Sequence, residues 1–284
     1  MILRRSIAAI LPLVALAGPL ASQSPPADLA RERSDYAQWL ATAPNSPLAA
    51  VAQQPIGAGI RLGPADADVP LAGVAEHRVA EREGAVTLEG PGGARSLPVG
   101  RPVALGEFFL TSAGLPGQRV LTVFGRKRAD KAAEYYPYDR DLVFTGPMAP
   151  PQRPAKVRVL ALDGVETEAV EAGTVSVPIG GKTARLMVRR IPTGEEDESE
   201  LEIYFRDASN GEGTYPAGRF VPLIPLPDRR YRLDFNRARN PFCAYSSAFP
   251  CPAPWRGNTV QAKVDAGERY LGGGFISPSA GLKV

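Results

Sequence analysis

Between residues 204 and 270 the chain carries more polar side chains able to do chemistry than surface strands need. They are Asp207, Tyr215, Arg219, Asp234, Asn236, Arg237, Asn240, Asn258 and Glu268, with Cys243 and Cys251 eight positions apart among them. These types offer carboxylate, amide and guanidinium chemistry. Two carboxylates flanking a sugar would make a glycosidase, and Arg219 and Arg237 could clamp a carboxylate or phosphate through paired hydrogen bonds. The same residues also suit a scaffold. Asp207 and Asn210-Gly211 read as a turn in which Asx side chains bond their own backbone. Asp234 and Asn236 flank an inward Phe235 and can pin the loop 236–258, and buried Arg–Asp pairs can organise loop-rich structure. An open cleft holding two of these carboxylates favours an enzyme; the same groups buried against backbone favour a scaffold. The short connection PLIPLPDRR predicts paired strands that bring Arg219, Asp234 and Asn236 together across the ladder.

Other chemistry is excluded by what is missing. His77 is the single histidine, so a multi-histidine metal centre cannot form, and a Ser-His-Asp or Cys-His site would need His77 to reach the C-terminal segment. The cysteines read as a structural disulfide if the compartment is oxidising, and closing their loop would contribute roughly 2.5 kcal/mol. Unpaired core thiols are a second reading. A zinc or redox pair is a third, although zinc needs two further ligands and redox pairs usually have Cys-x-x-Cys spacing. No metal or cofactor is expected.

Arg4 and Arg5 precede an apolar stretch from Ile7 to Leu20 and small residues after it, the pattern of a secretory leader over 1–22. The stretch falls short of the roughly 20 residues of a comfortable membrane span, so no transmembrane anchor is expected after cleavage. The protein is expected to be exported, periplasmic or secreted. Without Arg4 and Arg5 the 33 basic residues nearly balance the 30 acidic ones, which removes the electrostatic warrant for nucleic-acid binding. The run Arg126-Lys127-Arg128 and the acidic run 194–200 read as solvated loops.

The elements that must position these residues are mostly short strands. Gly and Pro number 29 each in 284 residues and punctuate short apolar runs. One helix is expected from a Ser24 cap with Pro25 at its first position, carrying Leu29, Arg33, Tyr36 and Leu40 on one stripe, anchored by Trp39 and ending near Ala43. Strands are expected at 60–63, 76–81, 85–90, 118–125 and 156–164. A hairpin turning at Gly180-Gly181 joins 174–179 to 182–191. Leu201, Ile203 and Phe205 alternate with Glu202, Tyr204 and Arg206 as in a half-buried strand. Residues 126–155 read as irregular. The proline cluster 147–154 suggests a boundary between a helix-and-β unit (23–150) and a second β unit (151–284). The fold class is mainly β, an antiparallel sandwich or flattened barrel of short strands with one short N-terminal helix.

The strings FRDASNGEGTYPAGRF, LDFNRARNPFCAYSSAFPCPAPWRGN and AGERY resemble the bacterial family known as domain of unknown function 1684. Its motifs run aromatic-x-Asp, Thr-Tyr, Gly-Arg, Asp-Phe-Asn, Asn-Pro, two cysteines, a later Asn and Ala-Gly-Glu. This chain departs at Arg239 and Phe242 around Asn-Pro and at residues 254–257 before Asn258. The resemblance is close over about 205–270, and it implies a domain type without a reaction. The N-terminal half of that family can look like a forkhead-associated sandwich. Here Val74-Ala75-Glu76-His77 lacks the phosphate-binding Ser and Arg of such readers. The function expected is a non-enzymatic domain binding a small ligand or a cell-envelope component. The alternatives are a hydrolase of an envelope glycan or ester working through Asp207, Asp234 or Glu268, and a purely structural or assembly protein.

Overall fold

The stripe Leu29–Leu40 folds as α1, Ala27–Thr42, with Leu29 and Leu40 buried and Ala43 capping its C-terminus. The start differs from expectation. Pro26, not Ser24, is the N-cap, and no side chain caps the first turn. Trp39 stacks beside Tyr36 at 5.6 Å and packs on Phe242 at 5.9 Å, so the helix docks on the C-terminal half. This computed structural model describes residues 24–129, 131–193, 198–253 and 255–272; the expected leader lies outside them.

Nine short strands follow: β1 (Ala50–Pro55), β2 (Ile60–Gly63), β3 (Val69–Pro70), β4 (His77–Arg82), β5 (Ala85–Gly90), β6 (Gly93–Ser96), β7 (Val103–Leu105), β8 (Phe108–Ala113) and β9 (Val120–Phe124). They form a four-stranded sheet, β1-β9-β8-β7, and a five-stranded sheet, β3-β2-β4-β5-β6. Leu62, Val79 and Leu88 of one sheet meet Leu110, Leu121 and Val123 of the other in one core, so this half is a sandwich. His77 opens β4 with its Nδ1 2.7 Å from the Ala75 carbonyl.

The remaining strands are β10 (Val143–Ala149), β11 (Lys156–Leu160), β12 (Glu166–Ile179), β13 (Lys182–Pro192), β14 (Ser199–Phe205), β15 (Arg219–Pro225) and β16 (Arg230–Asp234). Their order β10-β16-β15-β14-β13-β12 closes on itself because β10 also pairs with β12. The result is a six-stranded barrel with β11 as an extra strand on β12. β12 pairs β11 through Glu166–Val170 and β10 through Thr174 and Val175. Gly173 sits at the change of partner, where a Cβ would lie 2.5 Å from the Ala149 carbonyl oxygen. A side chain there would hold the two strands apart, so glycine is what lets the barrel close.

Two expectations are corrected here. Val143–Ala149 is a barrel strand, not irregular chain. The proline-rich stretch can join that sheet because Pro147 and its neighbours occupy the end of the ladder with β16. β14 is buried on both faces rather than one. Leu201, Ile203 and Phe205 face the barrel core, while Tyr204 is covered outside by Phe220 and Trp255. The covering comes from the long chain after β16, which returns to bridge Phe220 with Arg239 and Arg206 with Thr259.

Candidate functional site

The polar segment divides into four clusters. In the first, Arg219 is fully buried and donates to Asp207 Oδ2 at 3.0 Å, to the Val264 carbonyl at 2.8 Å, and to the carbonyls of Ala266 and Glu268. Asp207 also accepts from the Ser209 amide, the Ser209 hydroxyl and the Val264 amide at 3.2 Å. Burial pulls the Arg219 guanidinium down and the Asp207 charge opposes that. The turn expected at Asp207–Gly211 is present, with the Asp207 amide donating to Asn210 Oδ1 at 2.7 Å. This cluster staples residues 264–268 to the barrel.

The second cluster starts at Asp234, which caps a short turn by accepting from the Asn236 amide at 3.0 Å. Asn236 exchanges bonds with the backbone of Asp139, its Oδ1 accepting at 2.9 Å and its Nδ2 donating at 2.7 Å. Arg237 reaches Asp234 at 3.5 Å and binds Glu32 and Asp28 of α1. Arg219 is not part of this group. It pairs with Phe205 of β14, whereas the β15–β16 ladder runs from Leu223 to Pro225, so Arg219 lies beyond that ladder's end and finds Asp207. The predicted Arg219–Asp234–Asn236 trio is therefore replaced by two separate networks. Asn258 is a further pin: its side chain accepts from the Met187 amide and donates to the Met187 and Tyr204 carbonyls.

The third cluster lines a cavity of about 220 Å³ whose walls include Lys131, Glu134, Asn240, Tyr245, Glu268, Arg269 and Tyr270. Gly267 makes it possible, at φ +73, where a Cβ would fall 2.7 Å from the Phe235 and Ala238 carbonyls. The backbone can thus press against residues 235–238, and the Glu268 amide donates to the Ala238 carbonyl at 2.8 Å. The Glu268 carboxyl accepts from the Asn240 amide at 2.8 Å and from the Tyr245 hydroxyl. It is 1% exposed, and burial pushes it up to about 7 against those two bonds. Tyr245 is pushed up as well, first by burial and then by the Glu268 charge. Asn240 donates through Nδ2 to the Arg269 carbonyl at 3.0 Å. Its Oδ1 is buried and has no hydrogen-bond partner.

The fourth cluster joins Tyr215 to the cysteines. Both are free thiols 2.7 Å apart, longer than the 2.05 Å of a disulfide, so the expected bridge is corrected to a dithiol. Tyr215 Oη lies 3.1 Å from each sulfur and its ring packs edge-on against Tyr270 at 4.9 Å.

Tyr245 and Tyr270 gave no signal in sequence, because single tyrosines in irregular chain read as packing. Glu202 was read as an outward strand residue. It is 6% exposed, pushed up to about 7 by burial, with Arg239 3.8 Å away pulling it back. It lines a crevice of about 270 Å³ with Asp163, Glu200 and Arg239. Among the described residues no group of three His, Cys, Asp or Glu side chains is placed to hold a metal ion, and no helix is long and apolar enough to cross a membrane.

Residues 131–269 match the family described as Protein of unknown function (DUF1684). The chain belongs to that family. The DUF1684 span takes in the closed barrel and most residues of the four clusters, with Asp28, Glu32 and Tyr270 outside it. The chain is also similar to an uncharacterized protein of Haloarcula marismortui, known from a solution NMR structure. Identity is 32% over 49% of this chain and 77% of that one, with a TM-score of 0.42. No curated protein matches the chain.

Proposed function

We propose that this DUF1684 protein is an exported, non-enzymatic domain that binds a small molecule or envelope component in the Asn240–Glu268 cavity. The observation that carries this reading is Asn240 Oδ1, a buried acceptor on the cavity wall with no partner. Buried polar atoms are nearly always bonded, so this one is suited to a ligand N–H or O–H. Glu268, near neutrality in its pKa, serves as acceptor or donor beside it. Lys131 and Arg269 on the same wall suit an anionic group on the same ligand. Hydrolysis is less well supported, because of the three candidate carboxylates only Glu268 lines this cavity, Asp207 and Asp234 being held by Arg219 and by Asn236 and Arg237. Export rests on Arg4, Arg5 and the Ile7–Leu20 stretch.

Thermal-shift measurements of the mature protein against amino acids, amino sugars and envelope-peptide fragments test the binding site. A ligand at 100 times its Kd stabilises by about 2.7 kcal/mol, a rise of several degrees for a chain this size. The shift should vanish in Asn240→Ala; an equal shift in that variant, or none with any compound, rejects the site. Export is tested by the N-terminus of the native protein, which should fall between Gly18 and Ser24 rather than at Met1.

A further inference from the structure

A different part of the molecule, independent of the cavity reading, carries chemistry of its own. We propose that Cys243 and Cys251 form a thiol–disulfide exchange site whose substrate is a disulfide, with Cys251 attacking and Cys243 resolving. Three observations combine. The two sulfurs are unequal in access, Cys251 being exposed and Cys243 half-buried. A single hydroxyl, Tyr215 Oη, stands 3.1 Å from both, so it can donate to whichever sulfur bears the charge. The arrangement is also held from behind: Tyr204 Oη bonds the Ala217 carbonyl at 2.6 Å and the Pro252 carbonyl at 3.1 Å. That ties the backbone two residues from Tyr215 to the residue next to Cys251. A merely structural pair would need neither an exposed partner nor a hydroxyl shared between sulfurs.

The electrostatics agree. Hydrogen bonding from Cys243, and then from Tyr215, lowers the Cys251 thiol to about 6 although burial opposes it, while Cys243 is pushed up. The titratable groups that bear on the pair among the described residues are Tyr215 and Tyr204; both are pushed up by burial, so each keeps its proton and has an O–H to donate. A thiolate is the reacting form, and the exposed sulfur is the one held in it.

The reaction balances with a disulfide RS–SR as oxidant. The Cys251 thiolate attacks one sulfur, the RS–SR bond breaks, and RS⁻ leaves and takes a proton from water. Cys243 then gives its proton to solvent and attacks Cys251 Sγ, which expels the second RS⁻. The protein dithiol is oxidised by two electrons to an internal disulfide, and RS–SR is reduced to two thiols.

The test mixes the reduced mature protein with glutathione disulfide and follows intact mass. The wild type should end as an internal disulfide with no retained glutathione. Cys243→Ser should stop with one glutathione on Cys251. Cys251→Ser should react at least about tenfold more slowly, the loss expected when an activated thiolate is removed. Tyr215→Phe should raise the pH midpoint of the reaction and slow it about tenfold at pH 7. Equal rates for the two cysteine variants, or a wild-type rate and pH profile in Tyr215→Phe, overturn the proposal. Where a variant fails to fold, iodoacetamide labelling of the native reduced protein decides: Cys251 should be alkylated before Cys243, and the reverse order overturns it.

Discussion

The Arg219–Asp207 staple and the Asn240–Glu268 cavity are built from the same segment and are both buried, yet they meet opposite rules. Asp207 accepts from Ser209, Val264 and Arg219, and four of Arg219's N–H contacts are spent on Asp207 and three carbonyls. Arg219 Nε alone of that pair's charged atoms has no partner. At the cavity Glu268 is bonded, but Asn240 Oδ1 is open. A buried charge paired with an opposite charge is scaffold, and breaking the pair leaves its partner uncompensated. A buried acceptor left open beside a cavity is where a second molecule can be stabilised. Density of polar residues therefore does not mark a site; an open acceptor on a cavity wall does.

That contrast can be broken most directly at Arg219. Arg219→Ala should cost roughly 3–5 kcal/mol, because the Asp207 carboxylate stays buried without its cation. Chemical denaturation measures this, and a loss under about 1 kcal/mol would mean that the pair behaves like an exposed one. Pairing Arg219→Met with Asp207→Asn should recover much of the stability, since no charge is then stranded. Neither change should abolish ligand response in protein that remains folded.

The next largest effect is one of pH. Glu268 rises from 4.5 to about 7 on folding, so the native state holds its proton more tightly than the unfolded chain. Its contribution is complete below about pH 4.5 and is lost as pH rises through about 7, a change of roughly 3 kcal/mol by the per-unit conversion. Glu202 shifts in the same direction to about 7 and adds to the slope. Denaturant midpoints measured from pH 4.5 to 8 should fall, and Glu268→Gln should flatten part of that fall. A Glu268→Gln profile identical to the wild type would remove Glu268 as a buried titrating group.

The smallest stability effect is expected at the residue that matters most for binding. Asn240→Ala removes the bond to the Arg269 carbonyl, worth about 1 kcal/mol, and leaves the Asn240 amide on Glu268. A loss as large as that of Arg219→Ala would place Asn240 with the scaffold and erase the distinction between the two regions.

Local patterning made much of the fold legible. The Leu29–Leu40 stripe gave α1, the runs at 60–63 and 85–90 are strands with those limits, and the turn at Gly180-Gly181 joins β12 to β13. Asp207 and Asp234 each bond backbone two residues on, as the Asx reading implies. These features depend on neighbours within a few residues, so composition and spacing carry them. The family motifs were likewise readable as an ordered string. Closure of the barrel was not, because the pairing of Met148 with Val175 turns on the bare backbone of Gly173 far along the chain. Nor could spacing choose between Asp207 and Asp234 as the partner of Arg219, since the register of β15 against β14 and β16 makes that choice. The sequence by itself determined many of the strands and which residues are polar; only the tertiary structure decided which polar atoms are satisfied, because decisive partners lie far along the chain, as Val264 does from Arg219 and Asp139 from Asn236.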